Sequence, residues 1–370
     1  MAQLTGLAPE RVHFVPRAMS GGFGRHGASD APVEAARLSK AVGRPVSVQW
    51  ARVDELRAGP NRPEMTAELE AALDRGRIAA WRSDVWTNPY AYDGAGRRES
   101  ATPAAKPREA AHPGGGWGSP AQMTAMMAGR NGIPPYDIGR AAISLHVSKG
   151  KVRTGALRSL GASPNVFAIE SFMDELARAA GQDPIAFRLA HLTDARLRRV
   201  LELVRERSNW DKRAVRSGLG VACVEYRRTC VAQVAKVAVA GSGRVQVERV
   251  WCAVDAGHIV HPDGARNQVE GAVQMAISWT LIERLPHREA EVTGSTWKDY
   301  PIATFHDAPG AIDIVFAGED ENPPLGLGEP PAVPMVAAIA NAIFDACGAR
   351  VRQLPIDQPA VLRALAERAS

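Results

Sequence analysis

Gly326-Leu327-Gly328-Glu329-Pro330-Pro331 runs on through Ala332-Val333-Pro334-Met335 to Cys347-Gly348, and it sets one carboxylate among glycine, proline and leucine. Proline fixes φ and glycine admits close backbone approach, so a loop of this composition holds its few side chains in set directions. The run Val333 to Cys347 predicts an apolar helix that Gly348 ends. Two readings of Glu329 follow. It is a candidate general base, or it caps the helix and favours its positive end. The local sequence leaves both open.

Upstream, Asp263 predicts the start of a helix reaching about Leu281. Val231 to Val239 and Arg244 to Val254 alternate around Gly241-Ser242-Gly243, a hairpin signal, and Trp210 to Gly220 reads as a connector. Ile169, Phe172, Met173, Leu176, Ala177 and Ala180 fall at helical spacing before Gly181. Asp183-Pro184 and Asp194 each open a further helix, the second to about Arg207. Leu157-Arg158-Ser159-Leu160-Gly161 forms a small-residue loop ahead of these helices. Residues 88–140 lose periodicity around Gly114-Gly115-Gly116-Trp117-Gly118 and read as a long irregular insertion. Met65 to Thr87 predicts two strands with a turn at Asp74-Arg75-Gly76. Nearer the start, Val12–Val15 and Val46–Trp50 are strand candidates. Between them lie the glycine-rich loop Ser20–Gly27 and a helix, Pro32 to Val42, that Asp30 caps. Met1 to Leu7 looks like the tail of a helix, as if the chain began inside a fold. Helices and strands mix without a sustained βαβ rhythm, which indicates an α+β chain.

Gly22-Phe23-Gly24-Arg25-His26-Gly27 fits GxGxxG, with Asp54 beyond the next strand candidate, so a nicotinamide-dependent oxidoreductase is one alternative. Against it, Phe23 puts a bulky side chain between the first two glycines, and the helix starts well after the second. Composition closes other classes. A net charge of +5 is spread over scattered basic residues, not the contiguous patch that nucleic acid needs. The 4 cysteines lie far apart without a CxxC pair, which argues against zinc or an iron–sulfur cluster held by this chain. No apolar run approaches the ~18–20 residues of a membrane span. Residues 1–7 carry no export leader, so the expectation is cytoplasmic, with the periplasm open only if a partner chain carries the signal.

Four stretches taken together resemble one family. They are SGGFGRH (Ser20 to His26), RSLGASPNVFAIESFMDELA (Arg158 to Ala177), AVDAGHIVHPDGARNQVEGAVQ (Ala253 to Gln274) and GLGEPPAVPMVAAIANAIFDACG (Gly326 to Gly348). They stand in the order found in the large subunit of molybdenum hydroxylases, the xanthine dehydrogenase/aldehyde oxidase superfamily, and are most similar to the isoquinoline 1-oxidoreductase beta-subunit type. The resemblance implies a molybdopterin-binding-domain-like fold of mixed sheets and packed helices, present as an incomplete, C-terminal copy. It implies one segment over residues 1–140 and a second over residues 141–370.

It further implies hydroxylation of an N-heteroaromatic compound or aldehyde with water as the oxygen source, Glu329 matching the base. The cofactor would be molybdenum-molybdopterin, by family habit its cytosine dinucleotide form. Gly22, Phe23 and Gly24 match a loop whose backbone approaches the metal's ligands, without themselves ligating metal. Arg158, Ser159 and Gly161 match a second loop lining the pocket, Gln268 and Gly271 the segment contacting the pterin, and Gly328 the loop of the base. Arg158 is then a cation for developing negative charge, or the partner of Glu170 or Glu175. Gln268 is a pterin contact or an exposed helix residue, and Phe23 stacks on substrate or fills core. The partners implied are a small subunit with 2Fe-2S clusters, the missing N-terminal half as a separate chain, and a small-molecule substrate. A fragment that serves only as an assembly partner is the other alternative. The departures from the family pattern are Ser20, His26, Leu160, Pro164, Ala256 and Ala272.

Overall fold

The computed structural model describes residues 1–15, 17, 21–25, 30–90, 127–148, 152–289, 291–319 and 321–369. Ser20, His26 and the centre of the expected 88–140 insertion lie outside them. Two sheets organise the rest. The smaller has order β1-β2-β3, from Met65–Asp74 (β1), Arg77–Thr87 (β2) and Arg140–Val147 (β3). β1 and β2 form the expected hairpin, with Arg75 (φ 48°) and Gly76 (φ 76°) in the turn. β3, which carried no strand signal, adds in parallel to β2. β1 alternates half-buried and exposed along its length, the pattern of a sheet with one face on the core.

The larger sheet has order β4-β5-β6-β9, from Leu219–Tyr226 (β4), Thr229–Val239 (β5), Val245–Asp255 (β6) and Ala311–Phe316 (β9). A two-residue pair, His287–Arg288 (β7) with Glu291–Val292 (β8), lies between β6 and β9 in the chain. Helices cover both faces of this sheet. On one, Val221, Cys223, Ala232, Val234 and Ala253 meet side chains from Ala162–Ala179, Pro184–His191 and Ala195–Arg207. On the other, Ala222, Ala235, Val237 and Val250 meet side chains from Pro262–Leu281, Met335–Cys347 and Gln358–Ala369. With the short helices Ala2–Thr5, Asp30–Val42 and Arg52–Ala58, these are α1 to α9 in chain order: α1–α3 the three just named, then α4 (Ala162–Ala179), α5, α6, α7 (Pro262–Leu281), α8 (Met335–Cys347) and α9.

Most helix ends follow their sequence signals. Asp183 accepts from the Ile185 and Ala186 N–H groups at 3.0 Å each, and Asp194 from that of Leu197 at 2.8 Å. Gly348 ends α8 at φ 79°. Other expectations fail. Val12–Val15 and Val46–Trp50 are irregular, not strands. Each lacks a partner strand among the described residues, and an isolated β segment cannot satisfy its backbone. Asp30 is the first residue of α2, and its carboxylate meets Arg153 at 2.9 Å, so it ties the start of the helix to a distant segment. The stretch Pro330–Cys347 is long and apolar enough to cross a membrane by composition, yet 78% of it is buried in protein, which makes it a core helix. Cys223, Cys230 and Cys252 are free thiols within the large sheet.

Candidate functional site

Glu329 stands between β9 and α8, immediately before the single turn Pro330–Ala332, and its side chain makes no capping bond to that turn. The capping reading therefore does not describe it. Its Oε1 accepts from the Ser159 N–H at 2.8 Å and its Oε2 from the Tyr226 hydroxyl at 2.7 Å. One donor on each oxygen fixes the plane of the carboxylate. Tyr226 is buried; burial, and then the neighbouring Glu329, push its ionisation well above the usual tyrosine range, so it remains a donor.

The loop Leu157–Gly161 supplies the next layer. The Arg158 N–H donates to the Phe23 carbonyl at 2.8 Å, joining this loop to the first glycine loop. The Arg158 side chain is buried. Its Nε donates to the Gly328 carbonyl, and Nη2 lies 3.2 Å from both the backbone and the side-chain oxygen of Gln268. Burial pulls the guanidinium below its usual pKa, and the Glu329 charge opposes that. Neither acid expected as its partner is one: Glu170 binds Arg188 at 2.9 Å and Glu175 binds Arg352 at 2.7 Å.

Ser159 (φ 80°) and Leu160 (φ 51°) hold left-handed conformations that only glycine adopts without strain. Arg62 clamps them from behind, donating to the Arg158 carbonyl at 3.0 Å and the Leu160 carbonyl at 3.1 Å, with its guanidinium 4.5 Å from the Trp279 ring centroid. The Ser159 and Ser163 hydroxyls meet at 2.6 Å. Gly161 is a packing requirement, since a Cβ there would lie 2.2 Å from the Ala128 carbonyl oxygen. Gly24 is another: φ is 95° and a Cβ would lie 2.7 Å from the Ala156 oxygen.

The structure thus brings together Glu329, Gly328, Arg158, Ser159, Gln268 and Phe23, with Gly22 and Gly24 flanking Phe23. Phe23 is 53% exposed, so it does not fill core. Gln268 is exposed on α7, yet its amide oxygen is tied to Arg158. Gly271 is one helical turn further on, and a side chain there, or at Gly326 or Gly328, would meet open space. Gly161 packs against the Ala128 carbonyl. Sequence reasoning missed Tyr226 and Arg62. Tyr226 ends a strand with no alternation to announce it, and Arg62 sits in an irregular stretch before β1. Among the described residues no three or more His, Cys, Asp or Glu side chains group to hold a metal ion. What the site offers is a carboxylate, a buried guanidinium, an amide edge and open glycine backbone. That donor set suits an organic group with amide-like edges, to which backbone must come close.

Comparison with known proteins decides the family. Residues 1–106 and 109–192 match a molybdopterin cofactor-binding domain, and residues 168–309 match a second domain of the same description. The chain belongs to the xanthine dehydrogenase family of molybdopterin-binding subunits. Glu329 lies beyond the matched residues. Among relatives of this molybdopterin-binding chain, a nicotinate dehydrogenase subunit from Pseudomonas putida is 36% identical over 99% of this chain and 31% of its own length. The isoquinoline 1-oxidoreductase beta chain of Brevundimonas diminuta is 31% identical over 96% of this chain and 44% of its own. The chain therefore spans less than half the length of these relatives. In structure it is similar to quinoline 2-oxidoreductase from Pseudomonas putida 86 (TM-score 0.78, 14% identity, 94% of this chain and 68% of that one). It is also similar to the aldehyde oxidoreductase of Desulfovibrio gigas (TM-score 0.75, 15% identity, 98% and 56%). At these identities the likeness is one of fold. The GxGxxG loop has no regular strand at residues 12–15 or 46–50, so the strand–loop–helix–strand unit of a nicotinamide site is not formed there.

Proposed function

We propose that this chain provides the base-bearing part of a molybdenum hydroxylase that oxidises an N-heteroaromatic compound, or an aldehyde, with water as the source of oxygen. The observation that carries the reading is the half-buried Glu329 carboxylate. It is fixed on both oxygens and stands beside a buried arginine, at the meeting of loops 100 and more residues apart in the chain. The names of the relatives support the heteroaromatic class, since nicotinate and isoquinoline are both N-heteroaromatic.

The molybdopterin, when bound, supplies the two-electron acceptor and the oxygen-transfer chemistry. The pterin edge would lie against Gln268 and Gly271, with Gly22, Phe23, Gly24 and Gly328 giving backbone access; the cytosine dinucleotide form is part of the proposal. In the net reaction a C–H bond and one water become a C–OH group, two protons and two electrons. Glu329 takes the proton released as the water-derived oxygen adds to carbon. Arg158 stabilises negative charge and, through Gly328 and Gln268, ties the base to the cofactor side. Phe23 presents an exposed ring on which a flat substrate can stack. In this reading residues 1–140 give the stacking ring and residues 141–370 the base. Electrons leave to a small subunit with 2Fe-2S clusters, and further polypeptide completes the cofactor cradle.

The test is assembly with polypeptide corresponding to the remaining length of the relatives and with an iron–sulfur subunit. Molybdenum content and dye reduction are then measured with heteroaromatic substrates and with aldehydes. Glu329→Gln should keep its molybdenum and lose about 10²–10⁴-fold in kcat, the usual contribution of a positioned base. Full activity in that variant removes the assignment. A complete assembly that never acquires molybdenum favours the alternative of an assembly partner.

A further inference from the structure

Among the described residues Tyr226 is the one side chain that donates to Glu329, and it belongs to none of the family-like stretches. How it is held goes well beyond what a core tyrosine needs. β4 ends at Tyr226 and β5 begins at Thr229, so Arg227 and Arg228 make the turn. Their φ values are 49° and 71°. Those are the two left-handed residues of a type I′ hairpin, where Asn-Gly is the usual pair. Arginines there are strained, and the turn is pinned in compensation. The Arg228 carbonyl accepts from Arg196 at 2.7 Å, and Arg196 forks onto Asp255 at 2.9 and 2.8 Å. A fixed turn fixes register, and register decides which face of the strand Tyr226 occupies.

The same hairpin grips the backbone on either side of the base. The Thr229 hydroxyl donates to the Gly326 carbonyl at 2.9 Å, and Gln233 Nε2 donates to the Pro331 carbonyl at 2.8 Å. Tyr226, between them, holds the side chain. Arg130 completes the arrangement: its guanidinium lies 5.6 Å from the Tyr226 ring centroid, and Nη1 donates to the hydroxyl oxygen at 3.4 Å. A cation on the oxygen side commits the hydroxyl proton to Glu329. Asn131 anchors the segment that carries this arginine, donating to the Glu225 carbonyl at 2.6 Å.

The geometry points to Tyr226 as a positioning residue that orients the Glu329 carboxylate toward the reacting atoms, with Arg130 keeping its hydroxyl turned to that task. The inference rests on Glu329 being the proton acceptor proposed above. Without the hydroxyl, Glu329 keeps a single tether among the described residues, the Ser159 N–H. The carboxylate torsion is broad and roughly two-fold, so one tether leaves it free to swing. Arg158 and Arg62, the other cations near Glu329, stay in place and go on supplying charge.

The experiment has an arm that needs neither cofactor nor substrate. In the chain labelled with carboxyl-¹³C glutamate, the infrared difference between wild type and Glu329→Gln isolates the Glu329 band. Tyr226→Phe, which keeps the ring, should shift that band. Arg130→Met should shift it less and in the same direction, and it serves as the second variant should Tyr226→Phe fold poorly. In the loaded assembly Tyr226→Phe should lower kcat on the order of tenfold with KM unchanged. That is the cost of one hydrogen bond to a charged group, made only where the base works. An unmoved Glu329 band, or an unmoved kcat, overturns the inference. If Glu329→Gln is fully active the base assignment falls instead, and the infrared arm still decides whether Tyr226 orients that carboxylate.

Discussion

The two sheets differ in how they are covered, and the difference decides which of them carries the candidate site. The three-stranded sheet keeps one face on the core, and its outer strand β3 is exposed along almost its whole length. Its side chains can change at little cost, and none of the candidate site residues comes from it. The four-stranded sheet is covered by helices on both faces. Its hairpin β4–β5 presents Tyr226 at one tip, and both neighbouring loops dock there. A site that must hold a carboxylate to within fractions of an ångström is better carried by such a sheet, because packed cores do not deform continuously.

Three substitutions would break or sharpen that contrast. The largest effect is expected under the covered sheet. There Arg188 and Glu170, 0% and 1% exposed, pair at 2.9 Å, and Glu170 also accepts from the Tyr136 hydroxyl and the Cys223 N–H. Arg188→Met leaves that carboxylate buried and unpaired, and should cost about 3–5 kcal/mol in denaturant unfolding. A loss below about 1 kcal/mol would mean that the sheet tolerates disorder at its centre.

Next comes Arg62→Ala, which frees two carbonyls of the strained Arg158–Leu160 loop. Hydrogen bonds from a charged donor contribute about 1.5–3 kcal/mol. A destabilisation near the lower end is expected because water can reach part of the gap. Hydrogen exchange should show protection lost first at the Ser159 amide, the donor to Glu329. The smallest effect belongs to the open sheet. Arg82, with a side chain 65% exposed, pairs with Asp84 at 2.9 Å, and Arg82→Ala should change stability by less than about 0.5 kcal/mol. A loss approaching that of Arg188→Met would erase the distinction between the two sheets.

The same contrast explains what the sequence reveals. A strand buried on one face alternates, so β1 and β2 and their turn could be read directly. A strand buried on both faces shows no alternation, and Leu219–Tyr226 carried no strand signal for that reason; Ala311–Phe316 is a half-buried edge strand of only six residues, too short a run to announce itself. The helices were legible because Asp183, Asp194, Gly181 and Gly348 punctuate them. Around the site, the loops were legible as glycine and proline patterns, and Glu329 as a carboxylate between them. Tyr226 and Arg62 were not. Their contacts join residues 103 and 96 to 98 positions apart, and no local pattern encodes a partner at that distance. The roles weighed for Arg158 shifted for the same reason. An acid twelve or seventeen residues along is the mate that local sequence offers, but the chain takes it instead to carbonyls 110 and 170 positions away.

That last separation has a bearing on how the protein is made. Ser159 and Tyr226 leave the ribosome long before Glu329, and the helix that seats the Glu329 loop, Met335–Cys347, comes later still. A nascent chain stopped at residue 320 already contains the hairpin, the arginine clamp and the α7 edge, but lacks the carboxylate. Synthesis therefore delivers the Glu329 carboxylate after both of its hydrogen-bond donors, and the helix that seats its loop after all three.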